Sequence, residues 1–288
     1  MLFCVFSAKH YLLTFHSPDM VTLDWTDKKL TDAELETELQ RLKTDVPVKT
    51  LILRRNRLTF VPDLTRYKQF RQLKKLCLHE NKITTVTVQH IPLSCEDLWL
   101  YNNQINVMPD LRPLTRLSRL NLYNNNIQDL PSSHLPSSLT ELSISYNRLT
   151  DSPDLRLCDR LSKLELGRNN ISALTVAHLP PRIESLLLYN MRLREVPDLS
   201  PLAKLRYLNL NNNPITSITG LPDSMTYLDI GRVRVRVLGE KCFSDNTYKL
   251  LKEKLDTGTL VQPPAEVFHR GLSDVRSYFE QRKTQQVG

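Results

Sequence analysis

Residues 95–127 read CEDLWLYNNQINVMPDLRPLTRLSRLNLYNNNI. One pattern occurs twice within them: Leu98, Leu100, Asn103 and then Leu120, Leu122, Asn125, offset by 22 residues. Working outward, Asn81, Asn147 and Asn169 keep the same 22-residue step, Met191 stands at the next Asn place, and Asn213 falls 22 further on. Val233 closes the series after a step of 20. Upstream, Val48, Leu51, Leu53, Asn56, Leu58 opens it, and Leu73, Leu76, Leu78, Asn81, Ile83 follows. Nine consecutive units carry the register L-x-x-L-x-L-x-x-N-x-L, with an irregular tenth ahead of them at Met20, Leu23, Trp25, Lys28, Leu30.

Two leucines one residue apart share a face of a short strand, because successive side chains alternate between faces. A single unit cannot bury that face, so neighbouring units must stack. Each unit inserts about four to six apolar side chains, at about 1.5–3 kcal/mol for a large one fully buried. The Asn after each strand is polar at a position expected to be buried. Its amide can both donate to and accept from backbone groups that the turn leaves unpaired. Met191 and Val233 cannot do this, so looser turns or a bound water are expected there.

This register, over residues 46–238, resembles that of the leucine-rich repeat family. The resemblance implies an α/β fold: a right-handed solenoid, horseshoe or arc, with a parallel sheet on its concave side. A second period doubles the first. Pro62-Asp63-Leu64, Pro109-Asp110-Leu111, Pro153-Asp154-Leu155 and Pro197-Asp198-Leu199 alternate with His90-Ile91-Pro92, His134-Leu135-Pro136 and His178-Leu179-Pro180, a super-repeat of 44 residues. The three histidines sit two turns apart, about 9–10 Å at the usual strand spacing, whereas zinc ligands lie about 2 Å from their metal. They are read as structural residues of the convex side, and no metal or cofactor is assigned. Proline on the returning limb disfavours helix, so that limb is expected to be mostly extended or 3₁₀.

Residues 1–19 have no repeat register and are read as a dispensable N-terminal extension. Residues 20–45 are read as an N-terminal cap, with a helix over 31–43 that carries Leu35, Leu39 and Leu42 at helical spacing. The repeats then span 46–238, and 239–288 form a helical C-terminal cap with helices over 246–255 and 264–283. The segment PPAEVFHRGLSDVRSYFEQ, residues 263–281, is similar to the closing segment of intracellular leucine-rich repeat proteins, including Ras-pathway scaffolds and Roco-type proteins. Pro263, Pro264, Val267, Gly271, Val275, Tyr278 and Phe279 carry that similarity, which implies that most of them pack over the last repeat.

Composition removes other classes. The seven glycines are too dispersed for GxGxxG or GxxxxGK[ST], so the backbone cradles of dinucleotide and P-loop chemistry are missing. The longest apolar run, residues 1–8, falls short of the roughly 20 residues that cross a bilayer. No basic stretch precedes it, and Lys9 and His10 follow at once, which argues against a secretory signal. Cysteines at 4, 77, 95, 158 and 242 are odd in number and scattered, favouring neither a disulfide framework nor zinc, and pointing to the reducing cytoplasm. His79-Glu80 begins like HExxH, but Ile83 stands where the second histidine would be, and GxSxG is absent. The chain is read as no enzyme.

Residues between the strand leucines face the concave side and are free of the core. Two places before the Asn position run Arg54, His79, Tyr101, Tyr123, Ser145, Gly167, Tyr189; four places before run Ile52, Cys77, Trp99, Asn121, Ser143, Glu165, Leu187. The expected partner-binding set is Arg54, His79, Trp99, Tyr101, Arg119, Tyr123, Tyr146, Leu187 and Tyr189. Exposed aromatic rings are the residue types that dominate binding hot spots. The leading function is therefore a non-catalytic scaffold or regulatory adaptor in signalling, holding a protein partner on the concave face. The alternative is a nucleic-acid or phosphate surface using basic residues, Arg232, Arg234 and Arg236 among them. A net charge of only +8, interspersed with acids, disfavours nucleic acid, and no membrane partner is expected.

Overall fold

The computed structural model describes residues 12–17, 20–42 and 46–286. Cys4 and the apolar run at 1–8 lie outside them, and of the extension 1–19 only 12–17 are described. The chain divides into two compact units, Met1–Arg148 and Leu149–Gly288.

In the first unit, β1 (Leu12–Ser17) runs antiparallel to β2 (Met20–Asp24). The irregular tenth unit is thus a strand, and the extension contributes another to the edge of the sheet. Helix α1 (Asp32–Arg41) starts at a Thr31/Glu34 capping box, in which each side chain bonds the other's backbone N–H. Leu35 and Leu39 are buried beneath it, while Leu42 falls at its C-cap. Then β3 (Val48–Ile52), β4 (Lys75–Cys77), β5 (Asp97–Trp99), β6 (Arg119–Asn121) and β7 (Glu141–Ser143) follow in parallel. Their register aligns Leu51, Leu76, Leu98, Leu120 and Leu142 in one buried row. The returning limb is extended apart from single 3₁₀ turns at Leu64–Arg66, Lys68–Phe70, Val88–His90 and Ser132–His134. Asp63 caps the first of these through Thr65 N–H. His90 and His134 place Nδ1 2.9 and 3.1 Å from the carbonyls of Val61 and Met108.

In the second unit, β8 (Lys163–Glu165), β9 (Ser185–Leu187), β11 (Tyr207–Asn209) and β13 (Tyr227–Asp229) form the concave parallel sheet. On the returning limb β10 (Glu195–Asp198), β12 (Ser217–Gly220) and β14 (Val237–Lys241) make a second parallel sheet of three strands. Helix α2 (Asp245–Lys254) packs against β13. The second C-terminal helix expected from the sequence is two, α3 (Ala265–Arg270) and α4 (Leu272–Gln286). Gly271 breaks it with φ 135° and ψ 174°, a backbone region open essentially to glycine alone. Phe243, Phe268 and Phe279 gather beside Tyr248, whose hydroxyl donates to Phe268 O at 2.7 Å.

The Asn positions form an amide ladder. Asn125 Nδ2 donates to its own Leu122 O and to Leu100 O of the preceding turn, while its Oδ1 accepts from Ile105 N–H. Asn56, Asn81, Asn103 and Asn147 repeat the scheme in the first unit. The residue before every Asn position, from Arg55 to Arg232, is left-handed, with φ between 53° and 58°. Met191 and Val233 do not loosen their turns as expected: Asn190 and Arg232 keep the same left-handed geometry. The cost appears elsewhere. Among the described residues, the N–H groups of buried Ile171 and Ile215, which an Asn at 191 and 233 would accept from, have no acceptor.

Candidate functional site

Alternation along each strand turns the residues between the leucines outward, and parallel pairing sets them side by side in columns. In the first unit one column is Thr50, Lys75, Asp97, Arg119, Glu141, and the next is Ile52, Cys77, Trp99, Asn121, Ser143. Backbone bonds carry the register past the strand ends, from Arg55 N–H to His79 O, Glu80 N–H to Tyr101 O and Asn102 N–H to Tyr123 O. Arg54, His79, Tyr101, Tyr123 and Ser145 therefore make a third column.

The rings collect in two groups. His79 stacks on Tyr101 with centroids 4.1 Å apart, and Trp99 lies 5.8 Å from His79 and 6.3 Å from Tyr101. Lys75 Nζ sits 3.5 Å from the Trp99 ring centroid, a cation–π contact. Tyr123 and Tyr146 form the second group, at 4.7 Å. Tyr146 gets there because its left-handed backbone swings it out of the strand alternation.

The expectation of an open face needs correction at His79, which is only 3% exposed. Larger neighbours on both sides bury it. Burial pushes its pKa down to about 4, opposed by Glu80 and assisted by the charges of Arg54, Lys75 and Arg55, so the ring is neutral at pH 7. Its Nδ1 is buried without a hydrogen-bond partner, as is Arg54 Nε. Cys77 is buried too, its thiol pushed up by desolvation to about 12. Trp99, Tyr101, Tyr123, Tyr146 and Arg54 are half-buried, and Arg119 is exposed. Arg119 is tied to buried Asp97, whose other oxygen, Oδ1, lacks a partner. Asn121 is no free variable, since its Oδ1 accepts from Tyr123 N–H at 3.0 Å and closes the strand end.

Leu187 and Tyr189 belong to the second unit, with Leu187 between Glu165 and Asn209 on the sheet. Tyr189 lies across Gly167, where a Cβ would stand 2.5 Å from the ring. Glycine at 167 is what lets the tyrosine lie flat. Sequence reasoning missed Tyr207 and Tyr227, stacked at 4.3 Å and 5°. Their signal was the column six places before the Asn position, which also holds Lys75 and Asp97. Among the described residues, no three His, Cys, Asp or Glu side chains converge as metal ligands would. Likewise no helix there is long and apolar enough to cross a membrane.

Two family models match: one described as leucine-rich repeats in two copies, over residues 181–223, and one as a leucine-rich repeat, over 136–152. No curated protein matches the sequence significantly. Among solved structures, the chain is similar to YopM from Yersinia enterocolitica, with 27% identity and a TM-score of 0.55 over 67% of this chain and 41% of YopM. A leucine-rich repeat protein of Leptospira interrogans matches at 25% identity and a TM-score of 0.53, over 67% of this chain and 57% of its own. A chain of the octameric complex of Latrophilin 3, Unc5D and FLRT2, the last a leucine-rich repeat component, matches at a TM-score of 0.65 and 22% identity, over 81% of this chain and 72% of that one. The chain carries leucine-rich repeats at 136–152 and 181–223 and folds as a leucine-rich repeat solenoid. It spans less than two thirds of the Yersinia and Leptospira proteins. Both matched models lie outside 263–281, so the likeness of that segment to Ras-pathway and Roco-type proteins rests on its own nineteen residues.

Proposed function

We propose that the concave face of the first unit binds a protein partner without catalysis, the chain acting as a scaffold or regulatory adaptor. One observation carries this reading. Trp99, Tyr101, Tyr123 and Tyr146 gather half-exposed on one sheet face, with Lys75 over the indole. Burying such rings supplies large contact area at low conformational cost. Structures of similar fold solved in assemblies support it by analogy, among them the FLRT2 complex and the plant peptide hormone receptor RGFR1 in complex with RGF2. A non-catalytic role is supported by the neutral, buried His79 and by the four thiols at 77, 95, 158 and 242, all buried and pushed up to about 11 or 12 by desolvation. Free thiols also suit a reducing compartment, which is why we place the protein in the cytoplasm. Leu187 and Tyr189 are proposed as a further contact on the second unit.

The test is affinity capture with the wild type against Trp99→Ala/Tyr123→Ala, with Leu100→Ala as the folding control. Partners lost only by the double variant belong to the face. Trp99→Ala should leave the fold intact and weaken such a partner by about 2 kcal/mol or more. Leu100→Ala, fully buried, should destabilise by about 2–5 kcal/mol. A Trp99→Ala protein that retains every partner at full affinity refutes the reading.

A further inference from the structure

On the second unit, the loop flank beyond the concave strands carries Arg192 and Arg194 on one turn and Arg232, Arg234 and Arg236 two turns later. Thr216 N–H donates to Arg194 O at 2.8 Å, and Arg236 N–H to Thr216 O at 2.8 Å. Arg194, Thr216 and Arg236 therefore stand in one row, with Arg192, Pro214 and Arg234 in the row beside it. Arginines two turns apart in a row are separated by about 10 Å at the usual strand spacing. All five are exposed, and none forms an ion pair among the described residues. Some arginines elsewhere are paired, Arg55 with Glu80, Arg112 with Asp110, Arg119 with Asp97 and Arg156 with Asp154, but no other stretch of the chain sets three on alternate residues. Exposed Glu195 follows Arg194 in sequence, and the Asp256-capped turn adjoins Val235 through Thr259, whose hydroxyl donates to Val235 O at 2.8 Å. Five guanidinium groups with no ion pair among the described residues repel one another and raise a local positive potential. The patch has an apolar lip. Val261 N–H donates to Arg236 O at 2.8 Å, and Val237 and Val261 are 37% and 56% exposed.

We propose that this flank is a second docking surface, for an acidic extended protein segment that carries apolar side chains among its carboxylates. Guanidinium forks match carboxylates in bidentate geometry. The two valines give the segment's apolar side chains a place. No aromatic ring stands among these residues to stack a base, which disfavours single-stranded nucleic acid. This surface is independent of the concave aromatic face and stands or falls separately from it.

The experiment uses the full chain and a fluorescent peptide of Glu pairs alternating with Leu, about ten residues long, enough to cross both rows when extended at about 3.3 Å per residue. Its Glu→Gln counterpart, an oligothymidylate and phosphatidylserine vesicles are the other arms. The acidic peptide should bind, weakening about fivefold or more between about 50 and 300 mM salt. Arg192→Gln/Arg194→Gln/Arg234→Gln/Arg236→Gln should weaken it about tenfold or more with an unchanged melting temperature, and Val261→Ser about threefold. The Gln peptide should not compete, and Trp99→Ala/Tyr123→Ala should bind the acidic peptide normally. Failure of the acidic peptide to bind, or equal binding by the four-arginine variant, overturns the proposal. So does tighter, arginine-dependent binding of the oligothymidylate or the vesicles. An unchanged affinity for Val261→Ser overturns the apolar part.

Discussion

Asn125→Ala tests the amide ladder that seven of the nine turns carry. Asn125 Nδ2 donates to Leu122 O at 3.0 Å, Leu100 O at 3.1 Å and Tyr123 O at 3.4 Å, and Oδ1 accepts from Ile105 N–H at 3.0 Å. The leucine carbonyls are served twice: Leu100 O also accepts from Asn103 at 2.9 Å, and Leu122 O from Asn147 at 3.0 Å. The substitution therefore orphans one group outright, the N–H of fully buried Ile105. An unsatisfied buried amide costs about 1–3 kcal/mol and each further lost bond about 0.5–1.5, so the expected loss is about 2–4 kcal/mol after partial re-pairing. Asn103→Ala/Asn125→Ala strips Leu100 O of both amides, and its loss should exceed the sum of the singles by about 1–2 kcal/mol. Urea unfolding followed by circular dichroism and tryptophan fluorescence measures this, with coincident transitions and an unchanged m-value required. Met191→Asn is the reverse case. It supplies the acceptor that Ile171 N–H lacks but removes a buried thioether chain of comparable worth, so stability should stay within about 1 kcal/mol of wild type. A loss below about 0.5 kcal/mol for Asn125→Ala, or strict additivity in the double variant, refutes the reasoning.

Two other predictions concern the first unit. The native His79, held near 4 by burial against an ordinary 6.5, stays neutral where the unfolded chain takes up a proton. Its contribution should be complete above the unfolded value and decline as pH falls toward about 4, by about 2–4 kcal/mol in all. Urea midpoints at pH values across that window should fall more for wild type than for His79→Phe, and parallel curves would contradict the assignment. Deleting residues 1–19 removes β1 and bares the edge of β2. A loss of about 2 kcal/mol, or roughly 4–8 °C in melting temperature, is expected; no change would mean that the extension is dispensable after all.

The period of 22, the leucine rows and the amide ladder follow from the sequence because each repeat's needs are local and recur: two leucines share a face by alternation, and one polar residue must satisfy one turn. The capping helix was legible for the same reason, from Thr31, Glu34 and the spacing of Leu35 and Leu39. The left-handed turns were not, since Arg55, Glu80, Tyr146, Arg168 and Arg232 are poor formers of that conformation and adopt it where the stacked turns hold them. Nor could columns of residues tell which side chains remain open. His79 carries the same sequence mark as Tyr101, yet His79 is buried against the Trp99 and Tyr101 rings of the next turn while Tyr101 stays half-exposed. Gly271 splits a helix that the apolar spacing makes continuous, and β1 pairs without any repeat register at all. What a residue meets along its own turn is written in the chain. What it meets from the turns beside it, and so which rings and charges are left for a partner, is decided by the stacking.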